Sequence, residues 1–491
     1  MLNQNPRAVL PPSPLVPPLA KCVHGSNLAR VLCRALLGAS ITWIATASAT
    51  VNATNDIPGW LTEPLSLPGA IRIAVVQNAE ILKSASDLET AHGIAIQMKA
   101  IVMPKLRGNA NYVHDDAVEN DPQRNPGGVE EPQDQWNGSI RIVQSIYEGG
   151  RLRSALRTAR LTKEQALLGF QTVVANALLD VRTAYYDVLL AKQQVVVRDA
   201  SVRLLEEQLE KTKRQFDAGA VPRFDVLRGE VEIANARPRF IRAKNLYRIA
   251  KNNLATLLGY NIPTTVWEDL PLTLTTKLDT DPYEIDLPNA IGAARARRPE
   301  LGALRAQVSI QQERIVAARS GYKPSLGVFA GYSAHTSEFR DDFFRDVSGP
   351  TAGVVMTWDF FDGHATQGRI TEARGRESRA VITLEDNTRR IEQQVRAAYS
   401  SFVEAREVLE SQKKVVERAE EAIRLASSRY EAGSGTQLDV LNTETALTEA
   451  RTTQVEAARD YLVARARLDH SIGVDVAQEH LNAPPTESRK P

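Results

Sequence analysis

Apolar residues recur at alternating three- and four-residue steps along Val395, Ala398, Phe402, Ala405, Leu409, Gln412, Val416, Ala419, Ile423, Ala426 and Tyr430. A seam kept in step over so many turns marks a coiled coil rather than a helix lying on a globular core. Shifted upstream by 214 residues, the same positions read Val181, Ala184, Val188, Ala191, Val195, Arg198, Val202, Leu205, Leu209, Thr212 and Phe216. The polar interruption falls at the same step in both stretches, Arg198 and Gln412. A polar residue in a seam either fixes helix register or reaches solvent.

The shift of 214 is not confined to the seam. Phe216-Asp217-Ala218-Gly219 followed by Phe224-Asp225-Val226-Leu227 returns as Tyr430-Glu431-Ala432-Gly433 followed by Leu438-Asp439-Val440-Leu441, and Tyr147-Glu148-Gly149 returns as Phe361-Asp362-Gly363. Further upstream, Met103-Pro104-Lys105-Leu106 matches Lys323-Pro324-Ser325-Leu326 at a shift of 220, so a loop between two strands differs in length. A period this long is not a solenoid unit; it predicts an internal two-fold repeat of one structural half. The first half, 70–259, reads as helices at 70–78 and 79–103, strands at 106–113 and 138–147, a long helix at 151–216 and a helix at 224–258. A linker at 260–286 leads to the second half, 287–474: helices at 287–297 and 299–320, strands at 325–333 and 351–361, a long helix at 365–430 and a last helix at 438–472. Residues 475–491 read as a flexible tail.

Length narrows the architecture. A helix from 151 to 216 is about 100 Å long at 1.5 Å per residue, more than an ordinary globular domain holds. The shorter helices of one half, laid end to end, span nearly the same distance, so each half predicts two parallel rods. The strands alternate over about ten residues with aromatic residues near their ends, which suits outer-membrane strands. Ile140, Ile142 and Ile146 share a face with Val354, Met356, Trp358 and Phe360, and Ser139, Arg141, Ser145, Gly353, Thr357 and Asp359 share the other. Four strands cannot close a spanning barrel, which has at least about eight, so spanning strands require several chains to share one barrel.

Composition agrees with long helices. Charged residues are 24% of the chain, aromatic residues 6%, and the net charge is +1. That balance gives no electrostatic argument for nucleic acid. Arg30 and Arg34 precede an apolar run at 35–45 and then Ala47-Ser48-Ala49, the form of an export signal with a cleavage site, so 1–49 reads as a signal peptide with an N-terminal extension. Both cysteines, Cys22 and Cys33, precede that site, which leaves a mature chain without disulfide or thiol chemistry. The seven histidines show no zinc-type spacing. Asp115-Asp116 and Asp341-Asp342 read as solvated loop faces before metal ligands. No phosphate-cradling loop or nucleophile elbow is present, so the sequence predicts no enzyme, cofactor or metal.

This order of motifs resembles the TolC family of outer-membrane efflux and secretion channels, over 70–474. The marks are the duplicated aromatic-x-x-Gly…Asp-Val turn, the Pro-Ser/Lys-Leu helix-to-strand junction and the aromatic-acid-Gly strand-to-helix junction. The resemblance implies a mixed α+β membrane protein: a homotrimer with a 12-stranded β-barrel in the lipid of the outer membrane of a Gram-negative bacterium. A 12-helix periplasmic α-barrel of long coiled-coil helices continues it. It implies a passive, gated exit duct of a tripartite efflux pump or type I secretion system, with a periplasmic adaptor and an inner-membrane RND or ABC pump as partners. Asp225 matches the family's first-repeat acid, Tyr430 the tyrosine that hydrogen-bonds to it, and Asp439 the first of two acids ringing the constriction. Two positions depart: the second ring acid is Asn442, and an arginine that helps lock the gate is Gly435. An ordinary structural role remains open for Asp225 and Asp439, because a carboxylate there also complements a helix N-terminus. The turns where adaptors dock in the family read Ala218-Gly219-Ala220 and Ala432-Gly433-Ser434. From the residues alone the competing reading is an exported coiled-coil scaffold without a pore; such a scaffold has no use for the strand pairs.

Overall fold

Glycines, prolines and one asparagine punctuate this chain where its helices must stop. The computed structural model describes residues 59–114, 134–261, 269–336 and 346–474. The expected signal segment 1–49 with Cys22 and Cys33, the Asp115-Asp116 and Asp341-Asp342 loops and the tail 475–491 lie outside the described residues. The first half runs α1 (Gly59–Thr62), α2 (Leu67–Gln77), α3 (Ala79–Lys99), β1 (Lys105–His114), β2 (Asp134–Glu148), α4 (Arg151–Asp217) and α5 (Arg223–Leu257). The second runs α6 (Leu287–Arg297), α7 (Pro299–Arg319), β3 (Ser325–Thr336), β4 (Asp346–Thr357), α8 (Ala365–Glu431) and α9 (Gln437–Ile472). Both long helices, α4 and α8, have 67 residues, about 100 Å of rod. Among the described residues no helix is long and apolar enough to cross a membrane.

The strand ends differ from the sequence expectation for a reason. β3 begins at Ser325, after Pro324, which has no N–H to offer a ladder. Its first partner is therefore Thr357, and β4 stops there rather than at 361. Trp358 turns its indole N–H to the Tyr322 carbonyl instead, 3.3 Å away. The four strands form one antiparallel sheet in the order β1-β2-β3-β4, so the halves join where β2 pairs with β3. Register sets the faces. Leu106 pairs with Ile142, Ile140 with Tyr332, Val328 with Val354 and Leu326 with Met356, all on one face. A bulge between Ser145 and Tyr147 takes Ile146 out of that alternation. Leu106, Ile140, Val354 and Met356 are each more than 60% exposed, an apolar surface left open among the described residues.

The helical layer has its own linear order. α3 and α5 pack on α4; α4 packs on α7 and α9; and α7 and α9 pack on α8. α5 and α3 abut end to end. Asn78 stops α2 and caps α3, its Oδ1 accepting from the Glu80 and Ile81 amides, while its Nδ2 donates to the Leu257 carbonyl at the end of α5, 2.7 Å away. Gly259, at φ +84, lies so close to the Gln77 carbonyl that a Cβ would collide with it. The second half makes the same joint between α9 and α7 with different atoms. Arg298 Nη1 donates to the His470 carbonyl at 3.1 Å, and Gly473, at φ +80, lies against Arg297 and Arg298.

The core is a belt around these joints, halfway along the rods. Val181, Tyr185 and Val188 of α4 and Val395 and Phe402 of α8 are fully buried there. The described part of the expected linker belongs to this belt. Leu270, Leu272 and Leu274 are buried, Leu274 bridges to Leu65, and Lys251 donates to the Leu270 carbonyl and pairs with Asp269. On α8 every residue of the heptad seam is buried or half-buried, and Val395, Phe402, Leu409 and Val416 form its inner line. On α4 the seam is covered as far as Thr212, and Phe216 at the end is exposed.

Candidate functional site

At the end of the rods far from the sheet, two helical hairpins stand side by side, α4–α5 and α8–α9. Both turns are built by the same backbone logic. The amides of Gly219 and Ala220 bond to the Phe216 and Gln215 carbonyls, and those of Gly433 and Ser434 to the Tyr430 and Arg429 carbonyls. This is a Schellman ending, which needs a left-handed residue after the cap. Gly219 and Gly433 supply it at φ +74 and +71, and neither has an atom within 4 Å of where a Cβ would stand. The docking-turn residues Ala218, Gly219, Ala220, Ala432, Gly433 and Ser434 are all exposed.

The two acids that look alike in sequence are held differently. Asp439 closes a capping box: its carboxylate accepts from the Thr436 amide at 3.0 Å and hydroxyl at 2.8 Å, and its own amide donates to that hydroxyl. Those bonds, from the amide first, hold its carboxyl below the usual carboxylate range. The matching cap in the first hairpin is Pro222, whose ring has no hydrogen-bond acceptor, and the Asp225 carboxylate has no partner among the described residues. The pairing implied for Tyr430 is also different. Its hydroxyl donates to Gln215 Oε1 at 3.0 Å, not to Asp225, because Gln215 lies on α4 beside the last turn of α8. Asp225 is touched instead through its carbonyl, by Gln437 Nε2, which also reaches Thr212 Oγ1, both at 3.3 Å. Lys211 pairs with Glu431 alongside. Asp439 and Asn442, one turn apart, both lie on the exposed face of α9. At Gly435 a Cβ would stand 3.1 Å from Arg429 Cβ and from the Tyr430 nitrogen, so a side chain fits only if the end of α8 gives way.

Behind the tips, Leu205, Leu209, Ile233 and Leu441 make a small apolar cluster, with Gly229 letting Leu209 approach. Next to it, Glu444 of α9 is 3% exposed and has one long bond, from Ser201 at 3.4 Å. Burial, with the nearby Glu232 charge, raises its pKa from 4.5 to about 7 against the effect of Ser201. It lines a polar cavity of about 130 Å³ with Arg198, Glu232, Arg239 and Glu449. Arg198, the polar step of the first seam, thus lines the same cavity as a buried acid. Sequence reading missed Glu444 although a signal was present: it occupies an apolar slot in the run Val440, Leu441, Leu447, Ala450. Among the described residues no group of three or more His, Cys, Asp or Glu side chains is placed to hold a metal ion.

Two paired hairpins on rods of this length, carried by a four-stranded sheet with an apolar face, are the geometry of a known set of proteins. The sequence matches the family described as Outer membrane efflux protein over residues 70–260 and 290–474. The chain belongs to that family. Alkaline protease secretion protein AprF of Pseudomonas aeruginosa is 26% identical over 348 residues, covering 70% of each chain. Outer membrane protein TolC of Escherichia coli is 22% identical over 419 residues, covering 82% of this chain and 80% of its own. The solved structure of CusC superimposes with a TM-score of 0.69 at 17% identity, covering 86% of this chain and 95% of its own. This outer membrane efflux protein therefore has the TolC-type channel fold. Its place is the outer membrane of a Gram-negative cell, and its work is to provide an outer-membrane channel for an efflux pump or a type I secretion system.

Proposed function

We propose that three copies of this chain close head to tail into one duct. Its twelve strands form a barrel in outer-membrane lipid, and its twelve rod positions form a tube in the periplasm. The observation that carries this is the pair of open ends shared by both layers. β1 and β4 are the sheet's outer strands with no further partner among the described residues, and lipid does not tolerate an open edge. In the helical layer the outer members are α3 with α5 on one side and α8 on the other. α5 exposes Phe224, Leu227, Val231, Ile241, Leu246 and Ile249, and α8 exposes Val408, Val415 and Leu425. One copy's α5 side meeting the next copy's α8 side buries both and pairs β1 with β4. The apolar face of the sheet then meets lipid, and the polar face lines the lumen.

The hairpin tips are the gate of this duct. Asp439 and Asn442 stand on the face of α9 left open by the chain's own packing, where three copies form one carboxylate ring and one amide ring. The Tyr430–Gln215 and Gln437–Thr212 bonds hold the two hairpins of a copy together while the ring is shut. The exposed turns at 218–220 and 432–434 receive the periplasmic adaptor. Their glycines keep the backbone bare for close approach, and an inner-membrane RND or ABC pump supplies the energy. Covalent cross-linking of cysteines placed on β1 and β4 tests the closure. A ladder ending at a trimer in outer-membrane fractions, with single-channel conductance in planar bilayers, is the expected result. A monomer without conductance overturns it.

A further inference from the structure

Phe329 breaks the alternation of β3: it is a large aromatic residue on the polar face of the sheet. The register explains what it does there. Phe329 lies opposite Gly353, and a Cβ on Gly353 would stand 2.7 Å from the ring, so the glycine makes room for it. Arg141 of β2 lies opposite Gly331, where a Cβ would stand 2.8 Å from Arg141 Cγ. Its guanidinium sits over the Phe329 ring, 6.0 Å from the centroid, at cation–π range. Two glycine gaps and an aromatic platform thus hold one arginine in place. Directly across from it on β1 stands a second arginine, Arg107.

Like charges placed directly opposite each other weaken an antiparallel pair. Nothing on the sheet offsets this one. The only carboxylates within the four strands are at their ends, Asp134, Glu148 and Asp346. Glu148 is paired with Arg151, and neither Arg107 nor Arg141 has an ion-pair partner among the described residues. Both side chains are exposed.

We propose that Arg107 and Arg141 form an anion-selecting ring in the lumen of the barrel; this rests on the channel reading above. Three copies place six guanidinium groups at one level, because the two arginines are register partners. Rings of arginine favour anions by direct attraction in a confined, low-dielectric passage. The duct therefore has two charge filters in series, a carboxylate ring at the tip and a basic ring in the membrane. The second favours substrates bearing carboxylate or phosphate groups.

The test is ion selectivity of the full chain in planar bilayers under a KCl gradient. The proposed carboxylate ring is first neutralised by Asp439→Asn and the brace between the hairpins loosened by Tyr430→Phe. In that background chloride is expected to permeate more readily than potassium, by about threefold. Adding Arg107→Gln and Arg141→Gln should abolish the preference, whereas Arg107→Lys with Arg141→Lys should keep it. Inorganic pyrophosphate added on the sheet side should lower the background conductance, and the block should fade in high salt. The pyrophosphate measurement needs no change in the barrel, so it stands even if the glutamine variant does not assemble. Conductance that favours potassium in the background, or is untouched by pyrophosphate, overturns the ring and leaves the channel standing. Absence of conductance in every variant removes the channel reading itself.

Discussion

The two hairpin tips carry nearly the same sequence and are secured in opposite ways. In the second, Thr436 and Asp439 satisfy each other and the helix end, so the acid is part of its own chain's architecture. In the first, Pro222 stands where Thr436 would, and Asp225 is left unpartnered. Replacing one threonine with proline thus turns a capping acid into a free one. Of two acids that align in sequence, one can also serve its own helix end, and the residue three places upstream decides which. The second tip is therefore internally braced, and the first is braced through the second, by Tyr430 on Gln215 and Gln437 on the Asp225 carbonyl.

The strongest way to break this arrangement is to cut the packing that ties one hairpin to the other. Leu209→Ala removes the centre of the small cluster shared with Ile233 and Leu441. It should cost about 2–3 kcal/mol locally. The readout is faster amide exchange at both tips together; loss confined to α4 and α5 would show that the hairpins are independent. Next comes Glu444. Its folded pKa of about 7 lies above the ordinary 4.5. The folded tip therefore holds a proton that the unfolded chain releases, and its stability falls as pH rises from 4.5 through 7. The loss is on the order of 3 kcal/mol. Glu444→Gln should remove that slope between pH 5 and 8 in exchange measurements; an unchanged slope would place the proton elsewhere.

Two smaller tests address the asymmetry itself. Thr436→Ala should lower protection of the first-turn amides of α9 by about 1 kcal/mol, the usual value of a cap. Asp225→Ala should leave the first turn of α5 unchanged; equal losses would erase the distinction. Tyr430→Phe, worth about 1 kcal/mol as one hydrogen bond, should raise single-channel conductance modestly. Gln215→Ala should do the same, and the double variant should add nothing further.

How much of this was legible follows from what each pattern encodes. A heptad names the face of a helix, and the faces of α4 and α8 lie where Val188, Leu209, Phe402 and Val416 said they would. Alternation names the face of a strand, and Ile140, Ile142 and Val354 share one. Neither pattern names the partner. Gln215 facing Tyr430 depends on the register of α4 against α8, and Asn78 reaching Leu257 depends on two segments 179 residues apart meeting end to end. Glu444 and Phe329 were missed for a related reason. Each is a chemical exception inside a regular pattern, and its explanation lies on another element: Ser201 and Glu232 for one, Arg141 and Gly353 for the other.

The end-to-end joints at Asn78 and Arg298 have a mechanical consequence. At each, the rod continues in space while the backbone does not: α5 ends and α3, from far earlier in the chain, carries on. Unbroken struts such as α4 and α8 transmit strain along their whole length, but a splice held by one side chain and a close glycine lets one segment pivot on the next. Both splices lie in the belt, beside the main hydrophobic cluster. In the duct proposed above, a wall built this way can flex at the hairpin end while the sheet end keeps its shape, much as an expansion joint spares the span beyond it.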